Sequence, residues 1–298
     1  MAIDAGSSAP ASFLVGAATR VPRCTDPDYL DTVLALCERQ EIGLIIPTID
    51  TELGVYAAAA ERFRDAGVVV CVSSPATVQI CGNKVATHDW LVSKGFPTVR
   101  QTNVLSALQN ASEWPLPVIV KPYNGSASVG VRRISTESEL AALAESGDGI
   151  LVQELAPGRE FTINVYVDRL GKCVCAVPHW RMEVRSGEVS KGITVKNGRL
   201  MDLARAVAEG LPGAYGPLNI QCFLDTYGNI RVFEINTRFG GGYPLAHRAG
   251  ATFTSWILDE LAGRTLQRFD DWQDNLAMLR FDEAVYLPGT EIGLSTRA

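Results

Sequence analysis

The chain has 298 residues, a formal net charge of −6 and a pI near 5.2. That length allows two or three structural units with a sizeable core, and the acidic balance argues against a nucleic-acid or membrane-surface protein. No apolar run approaches a membrane span, and the opening M-A-I-D-A-G lacks the basic and long apolar regions of a secretory signal, so the expected location is the cytoplasm.

A short strand opens the chain near residues 2–4. Asp26-Pro27 reads as a cap followed by a first-turn proline, and Leu30, Val33, Leu34 and Cys37 recur at helical spacing. Residues 42–47, I-G-L-I-I-P, predict a buried strand; residues 51–66 predict a helix closed by Gly67; residues 68–72, V-V-V-C-V, predict another strand. Strand–helix–strand at this spacing implies a parallel sheet with helices on its faces. No G-x-G-x-x-G follows these strands, so a dinucleotide site is not indicated. Residues 84–94 predict a helix ended by Gly95, with Pro97 at a boundary. V-I-V-K, residues 118–121, predicts a strand running into the loop P-Y-N-G-S-A-S-V-G. Thr136 and Glu139 form a capping-box pattern. Residues 150–154 predict a strand. After the break A-P-G-R-E, the alternating F-T-I-N-V-Y-V-D predicts an antiparallel strand, which Gly171 turns into C-V-C-A-V. Cys173 and Cys175 sit there among apolar neighbours, and with seven cysteines and no C-x-x-C pair the reading is reduced, buried thiols. Three histidines without metal-ligand spacing argue against zinc. Residues 181–199 carry many charges and glycines and read as a mobile loop, in which Arg181, Arg185 and Lys191 are candidates for binding substrate carboxylate or phosphate. Helices are expected near residues 200–209 and 256–261.

Between those helices lies the segment richest in chemistry. N-I-Q-C-F-L-D, residues 219–225, and I-R-V-F-E-I-N-T-R, residues 230–238, flank a hairpin signal in T-Y-G-N. A turn centred between Tyr227 and Gly228 sets Gln221 opposite Glu234 and Asn219 opposite Asn236. Ile220, Cys222 and Leu224 then face Phe233 and Ile235 as a core side. Alternate strand residues share a face, so Glu234, Asn236 and Arg238 point one way. Oxygens of Gln, Glu and Asn on one face suit a hard cation such as Mg2+, with Mn2+ as an alternative, and Arg238 beside them suits an anionic oxygen. The loop at residues 124–130 contains Gly125, Ser126 and Ser128 directly after Lys121. Small residues let backbone N–H groups approach phosphate oxygens, although Val131-Arg132 stands where a P-loop needs Lys-Ser/Thr.

Four pieces together, C-G-N-K-V-A-T-H-D-W-L, P-V-I-V-K-P-Y-N-G-S-A-S-V-G-V, I-L-V-Q-E-L-A-P-G-R-E-F and V-F-E-I-N-T-R-F-G-G-G-Y-P-L, resemble the ATP-grasp superfamily, in particular its carbamoyl-phosphate-synthase-like proteins. The resemblance spans essentially the whole chain. It implies an α/β and α+β architecture: a parallel α/β pre-ATP-grasp domain over residues 1–82, then a two-subdomain ATP-grasp fold with the phosphate loop in residues 83–155 and the metal site in residues 156–298. It implies that Lys84 and Lys121 hold ATP phosphates from either side and that the loop containing Gly125, Ser126 and Ser128 is a lid over them. Gln153, Glu154 and Leu155 would form the hinge that reads adenine, and Glu160 would bind ribose. Gln221, Glu234 and Asn236 would be the Mg2+ ligands, and Arg238 would steady the transferred phosphoryl group, with Lys191 and Arg185 as further catalytic candidates. His179 is expected to pack or orient rather than act as a base; His247 has no assigned role.

The implied reaction is an EC 6.3 type ligation that joins a small-molecule carboxylate to an amine through an acylphosphate, with ATP converted to ADP. Two alternatives stand beside it: a carbamoyl-phosphate-synthase-like kinase of bicarbonate or carbamate, and a nucleotide-binding, non-catalytic subunit. One departure bears on stability. Family members begin with a strand, a glycine-containing turn and a helix before a second strand that ends near the position of Asp4, and this chain begins at that second strand. The expectation is a missing leading unit, with an unpaired strand position in the first sheet or a gap covered by another subunit, a homo-oligomer being one form. The ATP site, placed entirely at or after Lys84, is expected to be unaffected.

Overall fold

The computed structural model describes residues 1–125, 129–144 and 149–292. The first strand β1 (Ala2–Asp4) leads through a short helix α1 (Ala11–Leu14) to its parallel partner β2 (Ala18–Arg20). Helix α2 (Tyr29–Arg39), strand β3 (Leu44–Ile45), helix α3 (Asp50–Asp65) and strand β4 (Val69–Val70) follow, with β3 and β4 again parallel. The parallel arrangement is as expected, but it comes as two separate two-stranded pairs, with no ladder joining them among the described residues. The strands around residues 42–47 and 68–72 are also shorter than their apolar runs. Asp26 does not cap α2 directly: its carboxylate accepts from the Asp28 N–H, and the helix starts one residue later. Tyr29, Val33, Leu53, Tyr56, Phe63 and Val70 form the core of this unit.

Two helices, α4 (Pro75–Cys81) and α5 (Lys84–Ser93), connect to the second unit. The Asn83 side chain caps α5 by accepting from the Val85 and Ala86 N–H groups. The second unit is a four-stranded antiparallel sheet in the order β5-β8-β6-β7, built from β5 (Gln101–Asn103), β6 (Val118–Pro122), β7 (Arg132–Ile134) and β8 (Ile150–Glu154). Helices α6 (Val104–Gln109) and α7 (Glu137–Ala144) cover one face through Val104, Ala107, Leu140 and Leu143. The capping box at Thr136 and Glu139 forms as expected.

The third unit is a six-stranded antiparallel sheet in the order β13-β12-β9-β10-β11-β14. Its strands are β9 (Arg159–Val167), β10 (Cys173–Arg185), β11 (Glu188–Thr194), β12 (Gly216–Leu224), β13 (Ile230–Asn236) and β14 (Ala277–Leu279). Helix α8 (Gly198–Gly210) buries Leu200, Ala204 and Val207 on one face of this sheet, with α9 (Tyr243–Arg248) and α10 (Phe253–Leu261) completing the largest core. The stretch expected to be a mobile loop, residues 181–199, is instead the β10–β11 hairpin followed by the start of α8. Its tight turn is Ser186-Gly187, both at positive φ (50° and 81°), as the twist of a two-residue hairpin requires. No helix among the described residues is long and apolar enough to cross a membrane.

Gly158 sets the path from β8 into β9. Its φ is +112°, and a Cβ there would run into the Leu224 backbone. Gly158→Ala is therefore expected to destabilise the protein by about 1–3 kcal/mol from backbone strain alone, measured as a lower denaturant midpoint. An unchanged midpoint would contradict this reading of the β8–β9 crossing.

Candidate active site

The β12–β13 hairpin builds the floor of a cavity lined by residues of the second and third units. Its far end has the expected register, Gln221 opposite Glu234 and Asn219 opposite Asn236. Nearer the turn the pairs are Cys222–Val232, Phe223–Arg231 and Leu224–Ile230, one residue out of step with the far end. The turn is centred on Tyr227, where the Asp225 carboxylate accepts from the Tyr227 and Asn229 N–H groups. A bulge between Val232 and Glu234 restores the register. Phe233 is therefore not on the core side, as strict alternation predicted. It lines the cavity beside Glu234 and stacks on Phe223 with ring centroids 4.8 Å apart, while Val232 takes the buried place opposite Cys222.

Two lysines approach this floor from the second unit. Lys84 is the first residue of α5; its N–H donates to Tyr123 O, its Nζ donates to Gly125 O, and Nζ lies 3.5 Å from Glu234 Oε1. Lys121, near the end of β6, is buried. Its Nζ donates to Gln153 Oε1 at 3.1 Å and sits 5.4 Å above the Phe233 ring. Burial lowers the Lys121 pKa to about 8, against the upward pull of Glu234.

Gln153, Glu154 and Leu155 line the cavity at the crossing between the two sheets. The Glu154 carboxylate is turned aside: Oε1 accepts from the Arg100 N–H, and Oε2 pairs with Arg100 Nε, both at 3.1 Å, with Arg231 3.6 Å away. Glu160 also lines the cavity, paired with Arg181 Nε at 2.7 Å. Burial raises the Glu160 pKa, and the Arg181 guanidinium offsets part of that rise. Arg181 further donates to Thr162 Oγ1 and Gly187 O, which fixes it against the β10–β11 turn. His179 is fully buried with Nδ1 3.2 Å from Asn164 Nδ2, and burial drops its pKa to about 3, so it stays neutral. His247 lies on α9, 3.1 Å from the Tyr243 hydroxyl.

Lys84, Lys121, Gly125, Gln153, Glu154, Leu155, Glu160, Gln221, Glu234, Asn236 and Arg238 are thus gathered around one cavity. Ser126 and Ser128 lie outside the described residues. Lys191 and Arg185 do not line the cavity. Lys191 Nζ pairs with Glu183 Oε2 at 2.6 Å, and Arg185 with Asp282 at 2.6 Å, on the outer part of the hairpin. The register slips on either side of Glu183, so alternation from Arg181 does not carry on to Arg185.

Three contributors were not read from the sequence. Glu188 lines the cavity from the β10–β11 turn, Phe223 from β12, and Asp50 meets Arg238 from the first unit, so the site's contacts do not all lie at or after Lys84. Only Phe223 had a usable signal, since it alternates with Gln221 on the same strand.

Known proteins share parts of this sequence and its fold. A PylC-like N-terminal domain matches residues 1–71, and a family described as ATP-grasp in the biosynthetic pathway with Ter operon matches residues 146–284. A phosphoribosylamine–glycine ligase from Xylella fastidiosa is 26% identical over 71% of this chain and 56% of its own length. A carbamoyl phosphate synthase large chain from Thermotoga petrophila is 24% identical over 92% of this chain and 29% of its own. The chain thus spans about half, or less, of these curated relatives. Among solved structures, a biotin carboxylase–β-γ-ATP complex from Campylobacter jejuni superposes with a TM-score of 0.73 at 15% identity, covering 92% of this chain and 67% of that one. A biotin carboxylase domain of the Hydrogenobacter thermophilus 2-oxoglutarate carboxylase, solved with MgADP and bicarbonate, gives 0.73 at 18% identity over 91% and 65%. Residues 146–284 are thus similar to an ATP-grasp family, residues 1–71 to a PylC-like N-terminal domain, and the chain as a whole has the fold of these ATP-grasp structures.

Proposed function

We propose that this chain is an ATP-dependent ligase that activates a small carboxylate as an acylphosphate and joins it to an amine. The observation that carries the reading is the meeting of Lys84, Lys121, Arg238 and the Gln221–Glu234–Asn236 oxygens around one cavity at the crossing of two sheets. Phosphoryl transfer needs positioning and charge neutralisation more than a covalent protein group.

The donor set fits a metal ion. Gln221, Glu234 and Asn236 offer only oxygens, the preference of Mg2+ or Mn2+, and Gln221 and Glu234 are cross-strand partners on the cavity floor. Among the described residues, four cations line the cavity, Lys84, Lys121, Arg181 and Arg238, against four carboxylates, Glu154, Glu160, Glu188 and Glu234. The lining charge cancels, so a polyphosphate gains from bringing divalent ions with it. Bound there, the metal supplies charge neutralisation of the phosphates and polarises the bond that breaks.

The chain's own residues do the rest. Lys84 and Lys121 grip phosphate oxygens from either side, and Arg238 steadies the group in transit. The backbone of residues 153–155 reads the base between the apolar walls of Ile119, Val131 and Phe223, and Glu160 takes the ribose hydroxyls. The carboxylate attacks the terminal phosphorus, ADP leaves, and the amine displaces phosphate from the acyl carbon. Water has to be kept from that intermediate, which is the role proposed for the loop at residues 124–130.

A second reading, bicarbonate as the phosphorylated acid, is favoured by the 92% coverage of this chain in the match to the carbamoyl phosphate synthase large chain. ADP formation measured with a panel of carboxylates and amines, bicarbonate included, separates the readings. The ligase reading expects turnover that needs an organic acid and an amine together. Turnover with bicarbonate alone supports the second reading. No turnover with any pair, despite nucleotide binding, contradicts both.

Two predictions follow from the residues named. Glu234→Gln removes the carboxylate of the oxygen patch with little change of shape. It is expected to slow ATP turnover by about 100-fold or more, on the order of 3 kcal/mol in the barrier, with an unchanged circular dichroism spectrum; near wild-type turnover would contradict the assignment. The second concerns pH. The free Lys121 pKa is about 8, and a bound phosphate favours the charged amine, so binding takes up a proton above that value. Nucleotide affinity is expected to be flat below pH 8 and to fall as pH rises through it, by up to about tenfold per unit. Lys121→Arg, whose guanidinium stays charged, should flatten the profile. Calorimetric titration with ADP between pH 6.5 and 9.5 checks this, and an equal fall in the arginine variant would place the titrating group elsewhere.

A further inference from the structure

Arg238 is held from outside the sheet that carries it. Its Nε donates to Asp50 Oδ1 at 2.8 Å and its Nη2 to Asp50 Oδ2 at 2.7 Å, a side-on fork between residues 188 apart in sequence. Nη1 donates to Phe239 O at 3.0 Å. A guanidinium bound side-on to one carboxylate still presents the end formed by its two terminal nitrogens to a second anion. Arg238 lines the cavity, Asp50 is not among its lining residues, and the carboxylate takes the Nε–Nη2 edge of the guanidinium.

Asp50 is itself anchored. It is the first residue of α3, and the two residues before it, Thr48 and Ile49, donate their N–H groups to Glu52 Oε1 at 2.7 and 3.2 Å. Glu52 Oε2 accepts from the Tyr29 hydroxyl, which lies 2.9 Å from the Tyr56 hydroxyl, and both tyrosines are buried in the first core. The backbone on either side of Asp50 is therefore fixed to that core, and the Asp50 carboxylate extends from it to Arg238.

We infer that Asp50 is a positioning residue for Arg238: it fixes the side-on edge of the guanidinium so that the end formed by its two terminal nitrogens faces the terminal phosphate of a bound nucleoside triphosphate. The inference rests on the nucleotide reading proposed above. It gives the first unit a direct part in the site, although none of the nucleotide contacts proposed above comes from that unit. Asp50 does not compete with the phosphate, because the two anions use different edges of the same group.

The test separates the terminal phosphate from the rest of the nucleotide. Wild type, Asp50→Asn, Asp50→Glu, Arg238→Ala and the Asp50→Asn/Arg238→Ala double variant are titrated by calorimetry with MgADP and with a non-hydrolysable ATP analogue and Mg2+. Asp50→Asn is expected to weaken the analogue by about tenfold while ADP affinity stays within about twofold. Asp50→Glu should recover part of the loss, and in the double variant the asparagine should add nothing to the alanine. Equal weakening of both ligands would mark Asp50 as merely structural and overturn the inference. So would an unchanged or tighter analogue, or additive losses in the double variant. Failure of the wild type to bind ADP would overturn the nucleotide reading itself, and with it the target assigned to Arg238. Thermal melts of each variant, in which Asp50→Asn should stay folded at the titration temperature, exclude unfolding; if it does not, Arg238→Lys, which loses the side-on fork, should show the same selective loss of the analogue, and its absence would overturn the inference.

Discussion

The pairing of β12 with β13 is the constraint on which the site depends. A strand shows a given face only at every second residue, so one slip would turn Glu234 and Asn236 into the core and bring Ile235 to the cavity. The register is held by the turn at one end and corrected by the bulge before Glu234. The bulge does more than correct. It turns Phe233 and Glu234 toward the same side, so a carboxylate and an aromatic ring meet Lys84 and Lys121 respectively. The floor is held further by its neighbours: β12 is sandwiched between β13 and β9, and residues 97–99 hydrogen-bond to the edge of β13 at Val232.

The second organising principle is charge pairing across elements that are distant in sequence. Burying a charge without a partner is costly, and each cation at the cavity has one: Lys84 has Glu234, Arg181 has Glu160 and Arg238 has Asp50, while buried Lys121 has the Gln153 amide oxygen. These contacts join all three units. Lys84 ties the second unit to the floor of the third, and Asp50 ties the first to the end of β13. The pairs also mean that an anionic ligand enters a site already balanced, so binding exchanges partners rather than filling a positive hole. Metal ions arriving with the proposed nucleotide would make that exchange favourable.

What the sequence made legible follows from range. Local signals were readable: the capping box of α7, the alternation of β9, and the glycines that close α3 and α5. The face of Gln221, Glu234 and Asn236 was readable because a hairpin is a local object, although the inferred turn was displaced by half a residue and the bulge compensated for it. The β10–β11 hairpin was missed because its strands carry charges on both sides, and a sheet edge rich in Arg, Glu and Lys resembles a loop by composition. Ser186-Gly187 was the signal that could have found it. The same error made Arg185 and Lys191 look like site residues, when the register slips around Glu183 send them to outer ion pairs. The Asp50–Arg238 contact had no sequence signal, since nothing local relates the start of α3 to the end of β13.

The central claim is that the β12–β13 face holds the metal and terminal phosphates of a nucleotide. Crystals grown with Mn2+ and a non-hydrolysable ATP analogue test it directly, through the anomalous signal of manganese. The account predicts a peak bounded by Gln221, Glu234 and Asn236, with the phosphates between Lys84 and Lys121. A nucleotide bound in the cavity with its metal away from those three side chains, or a nucleotide seated elsewhere on the protein, would contradict it.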